Sequence, residues 1–262
     1  MPRYKVTLEY AGTRYSGWQI QQNARTVQGE LHKAIGEAFS IGRPLTYGSG
    51  RTDAGVHALA QVAHIDLPSN LPPAVLAAKL NEKLPADINI LAAERVPARF
   101  HARHSAVARS YLYQIARRRT AFAKPFVWWV RDDLNIAAMR EAAAHLTGFA
   151  DFQAFTDDDP DEKSTRVLVD RIEIVESGAL ILIRVQGSHF LWKMVRRIVG
   201  VLAAVARGDL APADAARLLE DNAAGTAAPA ALAAPAAGLF LEHVIYKGEP
   251  PPPPVAPVIA IT

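Results

Sequence analysis

The chain has no cysteine, which removes disulfides, thiol nucleophiles, cysteine-based zinc sites and iron–sulfur clusters. No apolar run approaches the ~20 residues that a helix needs to cross a bilayer. The first ten residues alternate polar and apolar side chains without the apolar centre of a signal peptide. A soluble, cytoplasmic protein is the expectation. Several catalytic signatures are missing too: there is no Gly-x-Ser-x-Gly elbow and no His-Glu-x-x-His pair. Acidic residues are absent from one long stretch, Arg95 to Arg131, which carries nine basic residues.

What is present is a 262-residue chain, half of it apolar, enough for a buried core and for one large domain or two small ones. The net charge of +3 conceals an asymmetry: residues 1–131 hold 18 Lys+Arg and 8 Asp+Glu, residues 132–262 hold 11 and 18. A chain polarised in this way suggests a polyanion docking on one face, the alternative being a solvated basic surface. Arginine outnumbers lysine 21 to 8, which suits bidentate phosphate contacts and equally suits a GC-rich genome.

Tyr4, Val6, Leu8 and Tyr10 alternate with polar residues and predict a half-buried strand. Val27, Leu31 and Ile35 recur at helical spacing, as do Leu76, Leu80 and Leu84. Further strands are expected around 61–67, 88–96 and 107–115, the last placing Arg109, Tyr111 and Tyr113 on one face. The second half uses the same vocabulary: a helix near 136–146, strands around 167–175 and 180–185, a helix from about 190 to 206 and a closing strand at 239–246. Pro250 to Pro254 exclude helix and central sheet, so a disordered tail is expected over 248–262. Mixed strands and helices with hairpin-like neighbours predict an α+β fold rather than a doubly wound parallel sheet.

The segment Gly48-Ser-Gly-Arg-Thr-Asp-Ala-Gly-Val-His57 is the chemical centre of the sequence. It is not a phosphate-binding loop, because Val56 and His57 replace the required Lys-Ser/Thr, and Asp53 stands where a dinucleotide fingerprint needs its third glycine. A carboxylate remains in a turn whose glycines at 48, 50 and 55 permit positive φ and close approach of a ligand. Asp53 in such a turn is a candidate nucleophile held ionised by a nearby guanidinium; the plainer alternative is an Asx-turn with a surface ion pair. His57, His64 and His101, with Asp53 or Asp66, raise a metal-site alternative without any recognised ligand spacing. The acidic cluster Asp157–Glu162 is expected to be a solvated loop.

Gly48–His57 with Gln61-Val62 resembles the signature of the tRNA pseudouridine synthase A family. Further matches follow in order: Gly12-Thr13-x-Tyr15-x-Gly17-Trp18-Gln19, Phe100-His101-Ala102-Arg103, Ala108-Arg109-x-Tyr111-x-Tyr113 and Asp151-Phe152-x-x-Phe155. They continue with Phe190-x-x-x-Met194-Val195-Arg196-x-Ile198-Val199-Gly200 and Gly238-Leu239-x-Leu241, so the resemblance spans about residues 4–246. The sequence departs from the pattern at Ala11, where Asp is usual, and at Ala60, where Gly is usual.

The resemblance implies two related α+β subdomains, 1–104 and 105–247, with mixed, mainly antiparallel sheet and a central active-site cleft. It implies an isomerase that converts uridine to pseudouridine at tRNA positions 38, 39 and 40 without cofactor or metal, acting as a homodimer on the anticodon arm. Asp53 maps onto the family's nucleophile, Arg196 onto the arginine that pairs with it, and Tyr111 onto the active-site tyrosine stacked on the target base. Arg51 maps onto the arginine that enters the stack when the nucleotide is extruded, and Leu239 onto an apolar wall of the uracil pocket. Arg103, Arg109, Arg117, Arg118, Arg119 and Lys124 would then grip tRNA phosphates, while Trp18, Phe190 and Tyr113 are assigned to packing. A catalytically silent RNA-binding protein and a metal-dependent hydrolase are the competing classes.

Overall fold

The computed structural model describes residues 1–42, 44–68, 70–162, 164–220 and 228–261. The chain divides into two units, Met1–Val107 with Phe240–Pro251, and Ala108–Leu239 with Pro252–Thr262.

The first unit is built on strands β1 (Arg3–Tyr10), β2 (Thr46–Gly48), β3 (His57–Asp66) and β4 (Ile88–Val96), with helices α1 (Val27–Phe39) and α2 (Pro73–Asn81). β1 lies antiparallel between β3 and β4, and β2 adds antiparallel to the far half of β3. Tyr4, Val6, Leu8 and Tyr10 of β1 are all buried, as the alternation requires. α1 starts at Thr26, whose side chain accepts from the Gly29 N–H, and buries Val27, Leu31 and Ile35. α2 stops at Asn81, short of Leu84. The Asn81 side chain instead accepts from the Ile90 N–H (2.7 Å) and donates to the Ile90 carbonyl (3.0 Å), tying the helix end to β4.

The second unit contains β5 (Ala106–Ala116), β6 (Trp128–Trp129), α3 (Ile136–His145), β7 (Gly148–Asp151), β8 (Arg166–Ser177), β9 (Leu180–Gly187), α4 (Met194–Arg207) and the short α5 (Asp214–Arg217). β5, β9, β8 and β7 pair in that order, antiparallel throughout, and β6 adds parallel to β5. α4 is buried along nearly its whole length. The fold is α+β with a mixed, mainly antiparallel sheet, as expected. Among the described residues no helix is long and apolar enough to cross a membrane.

The closing strand β10 (Leu239–Tyr246) runs parallel to β3, with Phe240 opposite His57 and Leu241 opposite Ala58. Phe240–Pro251 therefore belongs to the first unit, not to the 105–247 subdomain assigned from sequence. The proline-rich segment also differs from the expected disordered tail. Val255, Val258, Ile259 and Ile261 pack on Leu112, Ala116, Leu180 and Leu182, which share one apolar face of the β5–β9 pair, and on Val127 from the segment that follows β5. Its backbone is tied by Val258 N–H to Gln114 Oε1 (2.7 Å), Ala179 N–H to the Ile261 carbonyl (3.1 Å) and Arg184 Nη2 to the Pro253 carbonyl (2.8 Å). Proline excludes sheet pairing but not an extended cover over an apolar face. Asp157, placed in a solvated loop, instead accepts from Arg197 and from Lys193 Nζ at the start of α4.

Ile261→Ala is expected to cost about 2–4 kcal/mol, the usual range for emptying a buried aliphatic site. A melting temperature lowered by several degrees would register the loss; an unchanged one would return 252–261 to a passive tail.

Candidate active site

The Asp53 loop, residues 49–56, leaves β2 and enters β3, and both of its ends are clamped. Ser49 N–H donates to the Val62 carbonyl (2.7 Å) and Ser49 Oγ donates to Gln61 Oε1 (2.7 Å). Gln61 in turn donates through Nε2 to the Gly50 carbonyl (3.2 Å). At the other end, Val56 N–H closes back on the Asp53 carbonyl (3.1 Å), and Gly55 makes the turn at φ 79°.

A second loop, residues 11–19, lies directly against the first. Trp18 N–H donates to the Thr52 carbonyl (3.0 Å) and Gly55 N–H to the Tyr15 carbonyl (3.2 Å). Tyr10 and Thr52 share a buried hydroxyl–hydroxyl bond of 2.8 Å, and His57 Nδ1 accepts from the Gly12 N–H (2.9 Å). Gly17 sits at φ 88°, and a Cβ there would stand 2.4 Å from the Thr52 carbonyl oxygen. The two backbones touch at the residue preceding Asp53, leaving its half-buried carboxylate on a loop with little freedom to shift. The glycine reading needs one correction: Gly55 takes positive φ, but Gly48 and Gly50 do not, and a Cβ on Gly50 would meet open space.

A family model described as tRNA pseudouridine synthase matches residues 7–105 and 142–247. The chain belongs to the tRNA pseudouridine synthase family. It is 43% identical over 254 residues to tRNA pseudouridine synthase A of Rhodopseudomonas palustris strain BisA53, covering 94% of this chain and 100% of that one. Identity is 41% over 251 residues with the synthase A of Paramagnetospirillum magneticum, covering 94% and 96%. With tRNA pseudouridine synthase A 2 of Bacillus anthracis it is 39% over 249 residues, covering 94% and 100%. With that membership the chain is an isomerase that converts uridine to pseudouridine in tRNA.

The other candidate residues of this synthase divide between the units. Asp53, Arg51 and Arg103 lie in the first, with Arg51 and Arg103 both exposed. Tyr111, Arg196, Leu239, Arg109 and Arg117–Arg119 lie in the second. Tyr111 is buried on β5, edge-on to Phe190 at 5.2 Å between ring centres. Arg196 is half-buried on α4 and donates through Nε to the Ala234 carbonyl (2.7 Å). Leu239 is buried at the start of β10. Arg109 is half-buried and holds the Ser188 carbonyl (3.0 Å), and Arg117 is ion-paired with Glu176. Arg118, Arg119 and Lys124 are exposed. Trp18 and Tyr113 are buried packing residues, and the Tyr113 hydroxyl donates to the Pro235 carbonyl (2.7 Å).

Sequence reasoning missed the clamp itself. Its signal was present as glycines and aromatics in the 11–19 loop and as Gln61, but those residue types do not announce which backbone they hold. The histidines raised as metal ligands have backbone partners instead. His64 Nδ1 accepts from the Ala102 N–H (3.1 Å) and His101 Nδ1 from the Arg103 N–H (3.2 Å), alongside the His57–Gly12 bond above. Burial, with repulsion from Arg3 and His101 and against the pull of Asp66, pushes the His64 imidazole down to about 4. In the unfolded chain the same group takes its proton near ~6.5.

The unfolded state therefore binds the proton first, so the stability that His64 contributes is fully present above pH ~6.5 and drains as the pH falls toward 4. The loss is expected to be on the order of 3 kcal/mol across that window. Urea midpoints of wild type and His64→Gln at pH 7 and pH 4.5 isolate it: the gap between the two proteins should narrow in acid.

Proposed function

We propose that the enzyme isomerises uridines 38, 39 and 40 of the tRNA anticodon stem-loop, with Asp53 as nucleophile and without cofactor or metal. The observation that supports this reading most is the double backbone clamp that holds the Asp53 loop from both sides, because nucleophilic attack needs a carboxylate fixed to within fractions of an ångström. The reaction conserves composition. The N1–C1′ bond of the uridine breaks, the uracil turns, C5 bonds to C1′, C5 loses its proton and N1 gains one. The carboxylate forms a transient covalent bond with the sugar or the pyrimidine and is regenerated.

Resemblance supplies the remaining roles. Tyr111 contacts the target base and assists removal of the C5 proton. Arg196 is the counter-ion that keeps the Asp53 carboxylate anionic. Arg51 fills the stack when the nucleotide is extruded, a step required because the glycosidic bond is inaccessible within a helix. Leu239 is an apolar wall for the uracil. Arg103, Arg109, Arg118, Arg119 and Lys124 neutralise phosphates without reading sequence, and Arg117 contributes less because Glu176 opposes it. Tolerance of three neighbouring sites follows from recognition of RNA shape over base identity. In this reading the working form is a cytoplasmic homodimer.

Unmodified tRNA carrying tritium at uridine C5, incubated with enzyme and EDTA, tests the reading directly, because forming the C5–C1′ bond expels the label into water. Wild type is expected to release it. Asp53→Asn is expected to lose release by roughly 10³-fold or more while binding tRNA within a few-fold of wild type. Tyr111→Phe should lower the rate more than the affinity. Binding without release by wild type would favour a silent RNA-binding protein, and retained turnover in Asp53→Asn would remove Asp53 from its role.

A further inference from the structure

Beside the Asp53 loop, and entirely within the first unit, lies a cavity of about 370 Å³. Its walls include Trp18, Tyr47, Arg51, His101, Arg103 and His104. The volume falls inside the ~300–1,000 Å³ typical of small-ligand sites. No acidic side chain lines it among the described residues, and two guanidinium groups do. None of the roles assigned above uses the cavity as a whole.

Its aromatic wall is continuous. Tyr47 stacks on His64 with ring centres 5.0 Å apart and planes 16° from parallel. His101 approaches both, at 5.4 Å from Tyr47 and 4.7 Å from His64, and His104 follows at 4.3 Å from His101. Tyr47 is nonetheless 48% exposed, an unusual position for an aromatic ring that the fold does not need for its core.

Both sides of this wall are rigidly mounted. β2 is anchored through Thr46, whose carbonyl accepts from Gln28 Nε2 (3.0 Å) and whose hydroxyl bonds His32 Nε2 (2.7 Å). The 98–104 segment is pinned by Arg3, which donates to the carbonyls of Ala98 (2.6 Å) and Phe100 (2.7 Å) while forming a two-pronged pair with Asp66. Tyr246 adds a bond from its hydroxyl to the Ala102 carbonyl (2.7 Å). A metal is a poor fit, since backbone N–H groups occupy Nδ1 of His64 and His101. No group of three or more His, Asp or Glu able to hold one occurs among the described residues. His64 stays neutral near pH 7, so the fixed positive charge comes from the arginines.

We propose that this cavity holds one unpaired nucleotide of the tRNA adjacent to the reacting uridine, its base against the Tyr47 and His101 rings and its phosphate on Arg103, while Arg51 at the cavity edge keeps its place in the stack. Stacking tolerates any base because every base has a π-face, whereas the Arg103 guanidinium favours a phosphodiester. The subsite would hold the strand in register beside Asp53 while the neighbouring uridine is extruded. This inference rests on the tRNA reading above.

The test uses anticodon stem-loop RNAs, each with one abasic nucleotide, against wild type, Tyr47→Ala, Tyr47→Phe and Arg103→Ala. Tyr47→Ala is expected to weaken binding of the intact RNA roughly tenfold, and Tyr47→Phe to restore it. In wild type, one abasic position next to the reacting uridine should lose a similar factor; in Tyr47→Ala that position should lose nothing further. Arg103→Ala should reduce the salt slope of binding by about one. Tritium release by wild type together with an unchanged abasic profile in Tyr47→Ala would overturn the subsite and leave the assigned activity standing. Absence of release by wild type would overturn the activity, and the subsite with it.

Discussion

The contact on which the rest of the candidate site depends is made by backbone, not side chains. The 11–19 loop and the Asp53 loop approach until Gly17 has no room for a Cβ beneath the Thr52 carbonyl, and Trp18 N–H bonds to that same carbonyl. Two loops in such contact position each other more tightly than flexible side chains can. Around them, Gln61 and Ser49 fix the entrance to the Asp53 loop, Tyr10 of β1 bonds Thr52 within it, and His57 at its exit into β3 accepts from Gly12 of the neighbouring loop. The position of Asp53 thereby becomes a property of the first unit's scaffold, and the aromatic and basic cavity beside it is mounted on the same strands.

Buried cations do similar work at longer range. Lys5, in the middle of β1, reaches Glu94 and Glu249, so a strand near the chain's start is tied to a segment near its end. Arg184, in the middle of β9 and only 2% exposed, pairs with Glu173 and holds the Pro253 carbonyl. Arg197, buried on α4, reaches Asp157 and the Ala154 carbonyl. Lys5 and Arg197 are compensated by carboxylates distant in sequence and Arg184 by its cross-strand neighbour Glu173, and burial of an uncompensated charge is strongly destabilising. These pairs therefore select one arrangement of the connecting segments rather than simply adding stability.

Much of the fold was legible from periodicity. The alternation of β1, the 3.6-residue stripe of α1 and the bounds of β4 and β10 follow from side chains that must face a core at fixed spacing. β9 was harder, because Leu180 to Val185 are buried on both faces and so do not alternate in character. The reason lies in 252–261, where Val255, Val258 and Ile261 cover the Leu180–Leu182 face. Proline content pointed those residues toward disorder. A composition rule weighs the hydrogen bonds that proline cannot make and ignores the apolar surface that an extended chain can cover. Asp157 was misplaced for a related reason, since an acidic run looks solvated until Arg197 and Lys193 are seen beside it.

For the site, the sequence alone determined the chemistry available: Asp53 in its glycine-flanked turn, Arg51 two residues before it, and a basic, acid-free stretch suited to a polyanion. Ordered motifs sufficed to recognise the family, because its members keep particular residue types at particular spacings. Only the tertiary structure decided what holds those groups. It made His57, His64 and His101 acceptors for backbone N–H groups, gave Arg109 and Arg117 local partners, and left Tyr47 exposed on a stacked aromatic wall. The physical reason is that each such role is a relation between atoms brought together from distant parts of the chain, and spacing along the sequence carries no record of it.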